Sequence, residues 1–218
     1  MRRSNLNFLL CLAAFSTLST VAQIIEFESN GLKYQALTRD GLTIMVAGLP
    51  AHVRDYAVIQ VAVSNGAKKI YTVRPEDFLF LREDGAEIIP VPPREVVNSL
   101  SERASRSDVV KLVTSYENSI YGNTQYKGTN GYEQRRQSAM TDFTSTRLRA
   151  AAAASAIAFV NTKLPPGQST DGAIFYPASG KSPLGGTIRV RTVGGLVYEF
   201  PLVNAAKTSA ASAQSATP

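Results

Sequence analysis

The segment YAVIQVAVS, residues 56–64, decides the fold class of this chain. Ile59, Val61 and Val63 recur at every second position, so an extended backbone places all three on one face. β-branched side chains with this period are typical of a strand that packs one face on a core. The segment therefore predicts a β-sheet protein.

The sequence on both sides of this segment repeats the strand pattern. Before the middle of the chain, strands are predicted over 42–48, 70–73, 78–81 and 87–91, and after it over 173–176, 187–193 and 196–203. Asp84-Gly85 lies between two of them and is typical of a hairpin whose two turn residues must tolerate positive φ. Pro201 cannot donate a backbone hydrogen bond, so it predicts that the last strand lies at a sheet edge or loses its hydrogen-bond ladder at this residue.

The middle of the chain changes to a helical period. Helices are predicted over 93–103, after an N-cap at Ser107, and from about Tyr132 to Val160. The third has neither Gly nor Pro, and its apolar residues recur every three or four positions. At 1.5 Å per residue it would reach roughly 40 Å, about the length of a sandwich domain.

The lengths of these regions suggest one architecture. Residues 23–91 and 163–203 together have the ~100 residues of an immunoglobulin-type domain. We therefore expect a mainly β fold, an immunoglobulin-like antiparallel β-sandwich, with residues 92–162 as a helical insertion of about three helices. Residues 204–218 are mostly Ala, Ser and Thr, and we expect a disordered tail there.

The amino-terminal segment has the three-part layout of an export signal. Arg2 and Arg3 precede an apolar run over residues 8–21, and small residues up to Ala22 suit signal peptidase. A membrane-spanning helix needs roughly 20 apolar residues, and this run is shorter and interrupted by Ser and Thr. We predict a signal peptide over residues 1–22, no transmembrane segment after its cleavage, and a periplasmic, cell-surface or extracellular location.

Cysteine content and charge limit what the mature chain can be. Cys11 is the sole cysteine and would leave with the signal, so the mature 196 residues carry no disulfide and depend on a packed core. Removal of Arg2 and Arg3 lowers the formal charge from +6 to +4. This excess is spread along the chain and lacks the clustered basic footprint of nucleic-acid-binding proteins, so no nucleic acid partner is expected.

Two stretches resemble a known family. VRPEDFLFLREDGAEI (73–88) and LPPGQSTDGAIFYPASGK (164–181) are similar to the paired signatures of secreted bacterial immunoglobulin-like domains related to mycobacterial immunoprotective antigen. The matching residues are Asp77, Phe78, Asp84 and Gly85 in the first stretch, and Leu164, Pro166, Gly167, Gly172 and Phe175 in the second. These are turn and core features, so the resemblance implies a fold and no shared catalytic residues. The helical segment between the two signatures departs from the family pattern.

No arrangement of residues commits the chain to one chemistry. His52 is the sole histidine and no Gly-x-Ser-x-Gly elbow accompanies it, so we expect a loop or surface position and not a Ser-His-Asp triad. One histidine without a mature cysteine cannot form a structural zinc site, and no calcium-loop pattern of alternating Asp and Asn is present. We therefore expect no metal and no cofactor.

The segment YENSIYGNTQYKGTNGY, residues 116–132, has the composition of a binding loop. It holds four of the nine tyrosines among Gly, Asn, Ser and Thr: Tyr116, Tyr121, Tyr126 and Tyr132. Tyrosine provides large, rigid, amphipathic contact area, while the small polar residues adapt their hydrogen bonds. These four tyrosines are the predicted binding site for a protein or carbohydrate partner at the cell envelope. The alternative is a connecting loop whose tyrosines fold back onto the sandwich.

Two function classes are open at this point. The leading hypothesis is a non-catalytic secreted or envelope module that binds through the helical insertion, and the alternative is an extracytoplasmic hydrolase whose carboxylates cannot be paired from the sequence. The third predicted helix also carries four arginines that suit a membrane surface, an acidic partner or a solvated face: Arg135, Arg136, Arg147 and Arg149. Self-association through this helix is a third hypothesis, so the oligomeric state is not predicted.

Overall fold

The computed structural model describes residues 23–29, 32–49, 52–112, 145–178 and 185–202. In this part of the chain, antiparallel sheets dominate and three helices accompany them. The mainly β class predicted from the alternating segments is therefore confirmed.

The described strands and helices are as follows. The strands are β1 (Ile25–Ser29), β2 (Leu32–Arg39), β3 (Leu42–Gly48), β4 (Tyr56–Asn65), β5 (Tyr71–Val73), β6 (Phe78–Arg82), β7 (Glu87–Ile88), β8 (Thr162–Leu164), β9 (Ser169–Pro177), β10 (Gly186–Arg191) and β11 (Val197–Leu202). The helices are α1 (Pro93–Arg103), α2 (106–112) and α3 (Thr146–Ile157), and a short 3₁₀ turn covers Pro75–Asp77.

The first sheet has five strands in the order β1-β2-β3-β4-β9, all antiparallel. The segment that predicts the fold, β4, lies between β3 and β9, with Val63 opposite Ile44 and Ile59 opposite Ile174. All four of these residues are buried in one cluster, so one face of this sheet packs on a core.

The second sheet has the order β11-β10-β6-β7, and β5 pairs separately with β8. Phe80, Ile188 and Phe200 lie opposite one another across β6, β10 and β11. They belong to the same buried cluster as Ile59 and Ile174 of the first sheet. Burial of each such side chain stabilises the fold by about 1.5–3 kcal/mol, so this shared cluster is what holds the two sheets together.

The helices lie against the other face of the first sheet. Val58 and Phe175, which alternate with the core-facing residues of β4 and β9, share a second buried cluster with Leu100 of α1 and Ile157 of α3. The order of layers is therefore helices, five-stranded sheet, second sheet.

The hairpin predicted at Asp84-Gly85 is present, since β6 and β7 pair antiparallel on either side of it, but its turn differs from the prediction. Gly85 has a positive φ of 85°, but Asp84 does not. The only described non-glycine residues with a positive φ are Asp40 and Arg54. Gly85 N instead donates to Arg82 O at 2.9 Å, which closes the turn one residue earlier.

The structure also moves two helix boundaries. α2 begins after Ser105, whose backbone N–H and hydroxyl both donate to Asp108 Oδ2 at 2.8 Å, so the N-cap predicted at Ser107 is wrong. α3 ends at Ile157 and not at Val160, since Ala158 forms a parallel bridge with Ala173. The first part of the predicted long helix, residues 132–144, lies outside the described residues.

Candidate functional site

The four tyrosines predicted as a binding site, Tyr116, Tyr121, Tyr126 and Tyr132, lie outside the described residues. The structure does describe what precedes and follows them, which are α1 and α2 on one side and α3 on the other. The geometry of these helices determines how the insertion is attached to the β part of the chain.

Both ends of the helical region are bonded to the same strand, β9. Val91 N, just before α1, donates to Phe175 O at 2.8 Å, and Phe159 N, just after α3, donates to Ala173 O at 2.9 Å. The two acceptors are two residues apart, so the chain leaves and rejoins the sheet at nearly the same place.

Gly172 makes the return of the chain possible. A Cβ at this position would lie 2.6 Å from Phe159 Cα and 2.7 Å from Phe159 N, closer than real Cβ atoms approach a backbone. The missing side chain therefore lets Phe159 lie directly against β9, where its ring packs edge-on against Phe78 at a centroid distance of 5.6 Å.

The helices pack closely on the sheet and on one another. Residues 150–157 of α3 are mostly alanine, and all of them except Ala152 and Ser155 are buried, against α1 and against Ala173 and Phe175. Small side chains let two helix backbones and a sheet approach one another closely. Leu112, the last described residue of α2, is buried in the same cluster.

The predicted arginine stripe is described only in part. Arg147 and Arg149 are exposed in the first turn of α3, whereas Arg135 and Arg136 lie outside the described residues. The two described arginines therefore reach solvent and do not contribute to the buried cluster.

Three titratable side chains contact one another at the end of the first sheet that lies away from the attachment points of the helices. Lys69 Nζ donates to Asp40 Oδ2, and Tyr71 OH donates to Asp40 O at 2.7 Å. Asp40 belongs to the turn between β2 and β3, Lys69 to the loop after β4, and Tyr71 to β5. Sequence reasoning missed this group because its members come from three separate segments with no shared motif.

The pKa directions of this group describe a structural contact. The hydrogen bond from Lys69 lowers the pKa of Asp40, and the same bond raises the pKa of Lys69. Burial raises the pKa of Tyr71. Near neutral pH, Asp40 is therefore anionic, Lys69 cationic and Tyr71 neutral, which are the forms that bind one another.

Three further predictions concern individual residues and elements. His52 is half-buried in the loop before Val53, in agreement with its predicted loop position. Within the described ranges, no three His, Cys, Asp or Glu side chains converge as metal ligands would. No helix of this part of the chain is both long and apolar enough to cross a membrane.

Comparison with known proteins gives little further information. No family model matches this chain, and no curated protein is significantly similar to it. Among solved structures, the yjhA protein from Bacillus subtilis is similar over 82% of this chain and 96% of its own, with 10% identity and a TM-score of 0.35. A likeness at this TM-score carries no argument about fold or function.

Proposed function

We propose that this chain is a non-catalytic binding module, exported to the cell envelope, that meets a protein or carbohydrate partner through its helical insertion and the segment 116–132. The observation that supports this proposal most is the attachment of the insertion to β9 at both ends, through Val91 and Phe159. Loops that are held by a rigid scaffold are where binding residues concentrate. A fixed platform also lowers the entropy lost on binding, because fewer groups have to be ordered by the partner.

The proposed fold is an immunoglobulin-like sandwich, and the strand order supports it. In that fold, one sheet contains the neighbours A, B and E and the other contains G, F and C, to which variable-type domains add C′. Here β3-β4-β9 and β11-β10-β6-β7 have those positions if the strands are named A-B-E and G-F-C-C′. The helical insertion then replaces strand D, between C′ and E.

The roles of the signature residues agree with the proposed resemblance to secreted bacterial immunoglobulin-like domains. Phe78, Leu164 and Phe175 are fully buried. Asp77 accepts hydrogen bonds from Arg74 N at 2.9 Å and from its guanidinium at 2.7 Å. Residues of this kind specify a fold and carry no chemistry, as expected of a binding module.

The alternative, an extracytoplasmic hydrolase, would need a carboxylic acid that stays protonated near neutral pH. The two described carboxyl groups with a resolved shift are Asp40 and Asp84, and hydrogen bonds lower the pKa of both. This direction is opposite to that of a general acid, so neither of these two groups suits that role.

The test measures binding of the mature chain to envelope fragments isolated from the organism that encodes it. The variant is Tyr116→Ser with Tyr121→Ser, Tyr126→Ser and Tyr132→Ser. The matched control truncates three exposed apolar residues of the β part that lie outside β1: Ile70→Ser, Ile89→Ser and Val193→Ser. Thermal unfolding of all three proteins shows whether they remain folded.

We expect the tyrosine variant to bind at least about tenfold more weakly, because aromatic anchors dominate binding energy at interfaces. The control should bind the envelope fragments as strongly as the wild-type protein does. Equal binding by the folded tyrosine variant and the wild-type protein would contradict the assignment of the site to these tyrosines. Absence of binding by the wild-type protein would contradict the proposed function.

A further inference from the structure

The edges of the two large sheets differ in how they are protected. The outer edge of β9 is partly covered, since its carbonyl groups at Ala173 and Phe175 accept hydrogen bonds from Phe159 and Val91. β11 contains Pro201, which cannot donate to an added strand, and β7 has only two residues. β1 is the remaining edge, and no described strand pairs along its outer side.

The sequence of β1 suits the addition of a strand. Ile25 is 64% exposed although it is a large apolar residue at a sheet edge. Phe27 lies on the same face of the sheet as Ile25, and its ring stacks on that of Tyr34 at a centroid distance of 5.2 Å. This contact packs β1 against its neighbour β2. Glu26 and Glu28 are both exposed on the opposite face.

The two glutamates decide which strand can bind. Edge-to-edge pairing of two copies of β1 would place four carboxylates on one face, and like charges across strands are destabilising. A strand with Lys or Arg at alternate positions would instead place its cations beside Glu26 and Glu28. The charge pattern therefore excludes a second copy and favours a basic extended peptide.

A buried neighbour on β2 holds the Glu26 side chain in place. Gln35 lies opposite Glu26 in the register of β1 and β2, and its Nε2 donates to Glu26 Oε1 and to Pro201 O, both at 2.8 Å. Gln35 is 8% exposed, and its Oε1 has no hydrogen-bond partner. The Gln35 amide therefore holds the Glu26 carboxylate at the edge of the sheet, where a cation on an added strand can pair with it.

We propose that β1 is a second binding site, at which an extended basic segment of a partner protein adds as a sixth strand to the five-stranded sheet. Backbone hydrogen bonds to the outer edge of Ile25–Glu28 supply the affinity, and Glu26 and Glu28 select alternating cations. This site is separate from the helical insertion, which lies on β4 and β9.

The test uses two acetylated, amidated five-residue peptides, one that alternates valine with lysine and one that alternates valine with glutamate. Binding to the ¹⁵N-labelled mature chain is followed by amide chemical shifts. The variants are Glu26→Lys with Glu28→Lys, and Glu28→Lys alone, which keeps the hydrogen bond between Gln35 and Glu26. The matched control reverses two exposed glutamates of α1, Glu95→Lys with Glu102→Lys.

The lysine peptide should shift the amides of β1 and bind the control normally. The double variant should bind the lysine peptide at least about tenfold more weakly than the wild-type chain does, which corresponds to about 1.4 kcal/mol of binding free energy. It should instead bind the glutamate peptide. Equal binding of both peptides to the wild-type chain, or shifts confined to other strands, would overturn the proposal. Loss of binding in the tyrosine variant of the insertion leaves this result unchanged, so the two proposals fail separately.

Discussion

The guanidinium Nη1 of Arg54 donates a hydrogen bond of 2.6 Å to the carbonyl oxygen of Arg103, the last residue of α1. The same atom lies 3.8 Å from Asp108 Oδ2, the carboxylate that caps the start of α2. Arg54 itself belongs to the turn before β4 and has a φ of 53°. One side chain of the β part therefore binds the end of one helix and the beginning of the next.

Replacement of Arg54 should loosen the helical layer. Arg54→Ala removes the hydrogen bond from the guanidinium to Arg103 O and leaves a non-glycine residue at a positive φ. We therefore expect the free energy of unfolding to fall by about 1–3 kcal/mol. Arg54→Gly loses the same side chain but tolerates the positive φ, so it should be about 1 kcal/mol more stable than Arg54→Ala. Urea unfolding measures all three proteins. Arg103→Ala keeps the backbone acceptor and serves as the control, and a loss as large as that of Arg54→Ala would contradict the assignment.

Asn65 should be the most sensitive polar position of the β part. It is fully buried, its Nδ2 donates to Lys69 O and Leu164 O at 2.8 Å, and its Oδ1 accepts from Ala67 N at 2.9 Å. Asn65→Ala removes the side-chain partner of three backbone groups and should cost about 3 kcal/mol of unfolding free energy. Asn65→Asp keeps the shape but turns a carboxylate toward two carbonyl oxygens, so it should cost more than Asn65→Ala. The order of the two urea midpoints tests this, and the reverse order would refute it.

The alternation of apolar residues predicts the parts of the fold whose two faces differ in environment. β4 has Ile59, Val61 and Val63 toward the shared core, and Gln60 on the helix-bearing face. β2 was not predicted although Leu32, Tyr34 and Ala36 alternate with polar residues, because Thr38 is its only β-branched residue. The available signal was Asp40-Gly41, whose φ angles of 49° and 73° are those of a two-residue hairpin turn.

The candidate sites were less predictable than the strands for a different reason. The attachment of Val91 and Phe159 to β9 depends on contacts between residues more than ten positions apart, which no local pattern encodes. Gly172 lies in the second of the two stretches on which the proposed resemblance rests, but only the structure shows that Phe159 is what a side chain there would meet. The four tyrosines lie outside the described residues, so their site stays a prediction.

Two glycines separate the effect of space from the effect of backbone conformation. Gly172→Ala would place a Cβ 2.6 Å from Phe159 Cα, so the return of the helical region must move. We expect a loss of about 3 kcal/mol or more, as for severe overpacking. Gly167 has a φ of 74° with no atom within 4 Å of a Cβ, so Gly167→Ala should cost only about 1–2 kcal/mol. Thermal unfolding compares them, and equal losses would show that Phe159 is not held against β9 in solution.

Asp84 gives a prediction about pH. Arg82 Nε donates to Asp84 Oδ1 at 2.9 Å and Ala86 N donates to the same oxygen at 3.1 Å, and these bonds lower the pKa of Asp84 from 3.8 to about 2. A folded-state pKa below the unfolded value means that this group stabilises the fold above about pH 4 and that the contribution is lost as the pH falls toward 2.

Arg82→Gln removes the larger of the two causes, so the pKa of Asp84 should return toward 3.8. Titration of the Asp84 carboxyl carbon by ¹³C NMR measures this directly. Lys69→Gln is the control, because Lys69 binds Asp40 at a different turn and should raise the pKa of Asp40 while leaving Asp84 unchanged. If Asp84 titrates identically in the wild-type protein and in Arg82→Gln, then Arg82 does not hold this carboxylate in solution, and the turn between β6 and β7 depends on its backbone hydrogen bonds alone.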